Sequence, residues 1–246
     1  MRRLFPIAGL ALLLGIVGTS PALAQQLNLD LGEGGSLTGQ IFRLLALLTV
    51  LSLAPGILVV VTSFTRIVVV FSLLRSALGL QQTPPNTVII SLALFLTIYV
   101  MAPTLETAYR EGIGPFINEE ITEEQAFERT VSPLRDFMMS QVREKDLAMF
   151  MDMADLPAVE SVDEVPLRAL VPAFMVGELR RAFEIGFLVF VPFLVIDMVV
   201  ASILLSMGMM MLPPVMISLP FKLIFFVLVD GWHMLSGSLV QSFGMG

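Results

Sequence analysis

Between residues 185 and 205 the only charge is Asp197, and the rest of the stretch is almost wholly apolar. A helix of ~20 such residues crosses the ~30 Å hydrocarbon core of a bilayer. Further apolar runs occupy residues 41–61, 88–101 and 215–229. The first of these continues through Val68-Val69-Val70-Phe71 to Leu80, and Pro55-Gly56 interrupts it at a position where a helix kinks. Only 14% of the residues are charged, against ~25% in an ordinary soluble domain, and mean hydropathy is +0.88. A soluble globular domain is therefore excluded. The expected fold is an all-α membrane protein of kinked helical hairpins, with about four long hydrophobic helical segments and an amphipathic helical acidic segment.

Other classes fall away on residue inventory. The chain has no cysteine, which removes disulfides, thiolate zinc sites, iron–sulfur clusters and cysteine nucleophiles. His233 is the single histidine, and no Gly-rich phosphate loop, zinc signature or serine triad is present. No catalytic residue, metal or cofactor is expected. The net charge of −7 is concentrated between residues 103 and 182, which carry 16 acidic and 8 basic side chains. That balance argues against a nucleic-acid partner.

The N-terminus has the form of a secretory signal. Arg2 and Arg3 precede a short uncharged apolar stretch, and Ala22-Leu23-Ala24 is an A-x-A cleavage site. Cleavage after Ala24 would start the mature chain at Gln25, outside the cytoplasm. The expected organisation is a signal peptide at 1–24, a flexible Gly-rich tail at 25–40 and a first helical hairpin at 41–102. An acidic periplasmic helical segment at 103–171 follows, then a second hairpin at 172–246 with a Met-rich loop. Gln81-Gln82-Thr83-Pro84-Pro85-Asn86 is the turn of the first hairpin. In the acidic segment, Thr122-Glu123-Glu124-Gln125 fits a capping box and Ser132-Pro133 fits a helix start. Leu134, Met138, Val142, Met149 and Met153 then recur at helical spacing. Four spans would put the acidic segment outside and both short turns inside.

Three groups of residues invite a functional reading. Asp197 and Lys222 lie within successive apolar runs, where a lone charge costs ~2.5–3.5 kcal/mol. They could relay protons or form a packing pair, and the lack of further titratable groups around them favours the pair. Met207, Met209, Met210 and Met211 crowd a stretch bounded by Gly208 and Pro213-Pro214. They are either adaptable filler or a soft seal on broken backbone lining a cavity. Glu178-Leu179-Arg180-Arg181-Ala182-Phe183-Glu184 forms a charged collar where the third span begins. Its spacing allows Glu178 to pair with Arg181, and Arg180 with Glu184, on a solvated helix end.

Counting residues links the first two groups. If 185–213 and 214–229 were straight helices, Asp197 would lie 16 residues before the turn and Lys222 8 after it, ~12 Å apart in depth. If 207–214 is instead a loop, the counts become 9 and 8, and the two charges come level. The expectation is therefore a non-helical Met segment with Asp197 and Lys222 approaching each other, within one subunit or across a boundary.

Longer blocks carry a family resemblance. Pro192-Phe193-Leu194-Val195-Ile196-Asp197-Met198-Val199-Val200-Ala201-Ser202 runs into the Met cluster, and Leu219-Pro220-Phe221-Lys222 and Val229-Asp230-Gly231-Trp232 follow. With Thr62-Ser63-Phe64-Thr65-Arg66-Ile67, Leu78-Gly79-Leu80-Gln81-Gln82-Thr83-Pro84-Pro85-Asn86, Arg143-Glu144-Lys145-Asp146-Leu147 and Pro172-Ala173-Phe174, these blocks resemble the FliP family of flagellar type III export-gate proteins. A related protein serves virulence-type secretion, and the signal peptide and long acidic segment lean to the flagellar version. One departure is Gly177, where similar proteins carry Ser or Thr before the Glu matching Glu178.

The resemblance implies a pentamer that assembles with FliQ and FliR as the channel for unfolded flagellar export substrates. It also implies contact with export-apparatus proteins such as FlhA and FlhB, and with membrane lipid. The place would be the bacterial inner membrane at the flagellar basal body, with bent hairpins partly above the membrane on the periplasmic side. The family's methionine gasket would fall on Met209, Met210 and Met211, with Met207 adjacent. The competing function is a proton-coupled transporter using Asp197 and Lys222. A membrane enzyme is the weakest reading.

Overall fold

The computed structural model describes residues 37–157, 164–209 and 211–244. The signal peptide, its cleavage site, most of the N-terminal tail and Met210 lie outside the described residues. Nine α-helices are described, with no strand among the described residues. They are α1 (Leu37–Val61), α2 (Phe64–Ala77), α3 (Asn86–Ala108), α4 (Gly114–Ile117), α5 (Glu123–Gln141), α6 (Glu144–Met153), α7 (Leu167–Ser206), α8 (Pro214–Leu228) and α9 (Gly231–Gln241). A single π-helical turn, Tyr109–Ile113, joins α3 to α4. The chain divides into two compact units, Met1–Leu51 and Ser52–Gly246. In the first, only the early turns of α1 are described, and all that follows concerns the second.

α2 is the centre of the core. Ile67, Val70, Phe71, Leu74, Ala77 and Leu78 are all buried, at the i, i+3, i+4, i+7 spacing of one helical face. That face packs chiefly on α7 and also on α3. Ala93 and Val100 of α3, Ala182 and Phe193 of α7, Phe226 of α8 and Leu239 of α9 close the same core. Where these helices lie in lipid, close van der Waals packing of the side chains holds them together, not removal from water. A second, smaller core joins Met138 of α5 to Leu170 and Phe174 of α7.

One expected boundary moves, and the first apolar run breaks later than the kink expected at Pro55-Gly56: α1 runs through that pair to Val61. The break falls at Thr62-Ser63, where Thr65 Oγ1 donates to the Val59 carbonyl at 3.2 Å, a hydroxyl taking up a carbonyl at the helix end. α3 passes through Pro103 and gives up only the bond to the Tyr99 carbonyl, so the first hairpin extends beyond residue 102. What carries the chain on is packing against α5. A Cβ on Gly112 would sit 2.8 Å from the Thr130 nitrogen and 3.0 Å from the Ala126 carbonyl oxygen, so the two backbones meet at the π-turn.

The acidic segment is helical, but not in the expected pieces. The capping box forms: Thr122 Oγ1 accepts from Gln125 N, and the Gln125 side chain accepts from Thr122 N. The helix begun there runs through Ser132-Pro133 to Gln141, so that pair is no helix start. The chain then breaks at Val142-Arg143, and Arg143 Nε donates to Asp146 at 2.8 Å across the first turn of α6. The stripe of Leu134, Met138, Val142, Met149 and Met153 is therefore divided. Met138 is buried between α5 and α7, whereas Met149 and Met153 are exposed.

α7 begins at Leu167, before Pro172, and continues for 40 residues. At 1.5 Å per residue it is ~60 Å long, twice the thickness of the hydrocarbon core. Among the described residues it is one of two helical stretches long and apolar enough to cross a membrane, the other being Asn86–Ile117. α8 and α9 supply a third only as a pair bent by 63°. The bend is at Asp230, in the left-handed region at φ 51°, followed by Gly231, whose missing Cβ leaves room for the Phe226 ring. The four apolar runs of the sequence thus lie on α1, α3, α7 and α8, all helical as expected.

Candidate functional site

α7 and α8 form a hairpin whose described connecting residues, 207–209 and 211–213, are not helical. α7 ends at Ser206, Gly208 takes φ +75°, and α8 begins at Pro214. Positive φ suits glycine, which has no Cβ to clash. On this tip Met207 and Met211 are exposed, Met211 at 98%, and Met209 is partly buried.

Below the tip, Lys222 Nζ donates to Asp197 Oδ2 at 2.7 Å and to the Ala77 carbonyl at 3.2 Å. Ser218 Oγ donates to Asp197 Oδ1 at 2.6 Å. Lys222 is buried and Asp197 is part-exposed, at 4% and 28% of the side chain. Ala77 is the last residue of α2, so its carbonyl belongs to the set a helix leaves unpaired at its C-terminus. An ammonium there also sits at the negative end of the helix dipole. Lys222 thus ties α2, α7 and α8 at one point, within a single copy of the chain.

The collar is built differently from its spacing. Arg180 and Arg181 both bond Glu184, at 2.8 Å and 3.3 Å, on an exposed face. Glu178 does not pair with Arg181. It points into the protein, is 1% exposed and meets Arg66 of α2. Nor does it mark the start of the helix, since three turns of α7 precede it. The physical reason is the close packing of α2 on α7, which offers Glu178 a buried guanidinium in place of a solvated one.

That guanidinium is the residue the sequence reading passed over. Arg66 Nε donates to Glu178 Oε2 at 2.9 Å, and Nη2 bonds Glu178 Oε1. Nη2 also reaches Gln141 Oε1, and Nη1 reaches both the carbonyl and the hydroxyl of Ser242, each at 3.0 Å. Its plane lies 3.7 Å from the centre of the Phe243 ring. A planar fork of five donors can hold this many partners at once. Arg66 gathers α2, the end of α5, α7 and the residues after α9. The signal was available: Arg66 is a lone charge inside an apolar run, the same criterion that singled out Asp197 and Lys222.

No group of three or more His, Cys, Asp or Glu side chains that could hold a metal occurs among the described residues. The site consists of two internal ion pairs that fix a hairpin and an exposed methionine tip at its end.

Comparison with known proteins gives this arrangement a family. Residues 47–239 match the FliP family. A flagellar biosynthetic protein FliP of Caulobacter vibrioides is 56% identical over 100% of this chain and 93% of its own length. The protein of the same name in Rhizobium meliloti is 55% identical, over 93% of this chain and 94% of its own length. That of Bacillus subtilis is 54% identical, over 82% and 91%. With similarity at this level along nearly the whole length, the chain belongs to the FliP family.

Proposed function

We propose that the chain is a structural pore subunit of the flagellar type III export gate, and that its copies assemble with FliQ and FliR into the channel for unfolded export substrates. Family membership makes it a flagellar biosynthetic protein of the export apparatus, and not an enzyme. Family and apolar helices together put it in the bacterial inner membrane.

One observation carries the finer reading. The hairpin tip presents methionines to the outside, Met211 almost fully, on backbone that Gly208 and Pro213 keep out of a helix. Apolar side chains left exposed on a fixed tip gain by burial against one another or against cargo. A ring of such tips, five by family resemblance, would close on itself and deform around a passing chain, because thioethers are flexible and polarizable. Met209, Met210 and Met211 would form this seal, with Met207 beside them. The Asp197–Lys222 clamp would hold each tip in place, since both charged groups are already engaged by each other, Ser218 and Ala77. That engagement favours a fixed clamp over a proton relay. The length of α7, about 60 Å, supports an assembly that extends out of the membrane.

The test is replacement of Met209, Met210 and Met211 by alanine together. The assembled complex should form, and the membrane should leak small ions in the absence of cargo. A tight membrane with normal assembly and normal export in that variant overturns the seal.

A further inference from the structure

A cleft of about 710 Å³ runs along α7, walled on its far side by α8 and α9. Its size lies in the ~300–1,000 Å³ range of ligand pockets. Along most of its length it is apolar: Leu188, Val189 and Phe193 face Phe225 and Leu235. At one end it reaches Arg181, Glu184 and Ser242, and the same three residues line a second hollow of about 390 Å³ that adds Arg143 and Arg180. The two hollows meet at these three residues, an apolar body beside an arginine-rich head.

The head carries unspent positive charge. Arg143 is matched by Asp146, and Arg66 at the back by Glu178. Arg180 and Arg181 share the single carboxylate of Glu184. Arg180 spends only Nε on it and Arg181 only Nη1, so several N–H donors on both remain for a ligand. Their side chains are about half exposed, at 50% and 58%.

The groove's dimensions fit one occupant. On α7 the lining runs ~18 Å from Arg181 to Phe193, and its apolar part, Ile185 to Phe193, is ~12 Å at 1.5 Å per residue. One leaflet of a ~30 Å hydrocarbon core is ~15 Å deep. The arginines stand where the uncharged part of α7 starts, at the level of the lipid headgroups if that part spans the membrane.

We propose that this groove binds an anionic phospholipid, its acyl chain along α7 between Leu188 and Phe193 and its phosphate on Arg180 and Arg181. Guanidinium recognises phosphate through paired, charge-assisted hydrogen bonds, so the head would select for charge and the body for chain.

The test uses the full-length chain in vesicles of phosphatidylcholine doped with phosphatidylglycerol. A photoreactive amino acid in place of Leu188 reports what fills the body, and native mass spectrometry reports which lipid survives purification. The expected result is a phospholipid adduct at position 188 and retention of phosphatidylglycerol over phosphatidylcholine by about tenfold or more. The double variant Arg180→Gln, Arg181→Gln should abolish the preference, while Arg110→Gln, an exposed arginine outside the groove, should keep it. Equal retention of both lipids by the unaltered chain overturns the proposal. So does an adduct at position 188 to protein alone, which would mean that another chain's segment covers the groove.

Discussion

Replacing Glu178 by Gln changes one atom's identity at the most buried ionic contact among the described residues. Both partners are nearly inaccessible, at 3% and 1% of their side chains. The amide still offers one acceptor to Arg66, but the compensating charge is gone. Two unit charges ~4 Å apart at an effective dielectric of ~20 are worth ~4 kcal/mol, and removing one member of a buried pair costs ~3–5 kcal/mol. The bonds to Gln141 and Ser242 survive, so Glu178→Gln should destabilise by about 3 kcal/mol. Arg66→Met strands a buried carboxylate and should cost about 3–5 kcal/mol. The double variant Arg66→Met, Glu178→Gln removes both charges and should cost less than the two single variants together, by about 2 kcal/mol or more. Unfolding of the purified chain in mixed micelles gives all three values. A single-variant cost under about 1 kcal/mol, the size expected of an exposed pair, refutes the reasoning. So do strictly additive costs.

Asp197→Ala or Lys222→Ala should lower stability by about 1–3 kcal/mol, less than a wholly buried pair because Asp197 is part-exposed; exchanging the two residues should restore part of the assembled complex seen by size-exclusion chromatography. Gly231→Ala should cost about 1–3 kcal/mol in the same unfolding assay, since the added methyl meets the Phe226 ring and the bend between α8 and α9 must open. Gly177→Ala should instead stabilise by up to about 1 kcal/mol, because the site is open and alanine is the better helix former; a loss would show that another molecule packs on that face.

Local rules were readable in the sequence where local physics decides the outcome. The capping box at Thr122, the Pro84-Pro85 turn and the break after Ser206 all depend on residues within a few positions of one another. The matching depth of Asp197 and Lys222 also needed only a count along two adjacent helices. The reading failed where distant packing outweighed local preference. Pro103 and Pro133 both read as boundaries, yet helices pass through them because α3 and α5 hold each other along their length. Glu178 reads as Arg181's partner at i,i+3 spacing, but its true partner is 112 residues away. No periodicity in the chain encodes that separation. The groove beside α7 was equally hidden, since its walls come from four helices, α2 among them through Leu74, and its head draws on a fifth, α5.

The reach of Arg66 also sets a timetable for synthesis. Its last hydrogen-bond partner, Ser242, lies 176 residues further along the chain. At ~5–20 residues per second, roughly 9–35 s pass between the making of the two. Glu178 arrives part-way through that interval, and Gln141 before it. Throughout, the guanidinium has donors with no native acceptor, and an arginine in that state keeps water or a foreign carboxylate around it. α2 and α7 can touch early through Phe71 and Leu74, but the charged end of their contact stays wet until the final residues emerge. A nascent chain stalled before Ser242 would hold its hydrophobic helices in place with the polar knot still untied, which is the species most open to capture by a chaperone or a protease.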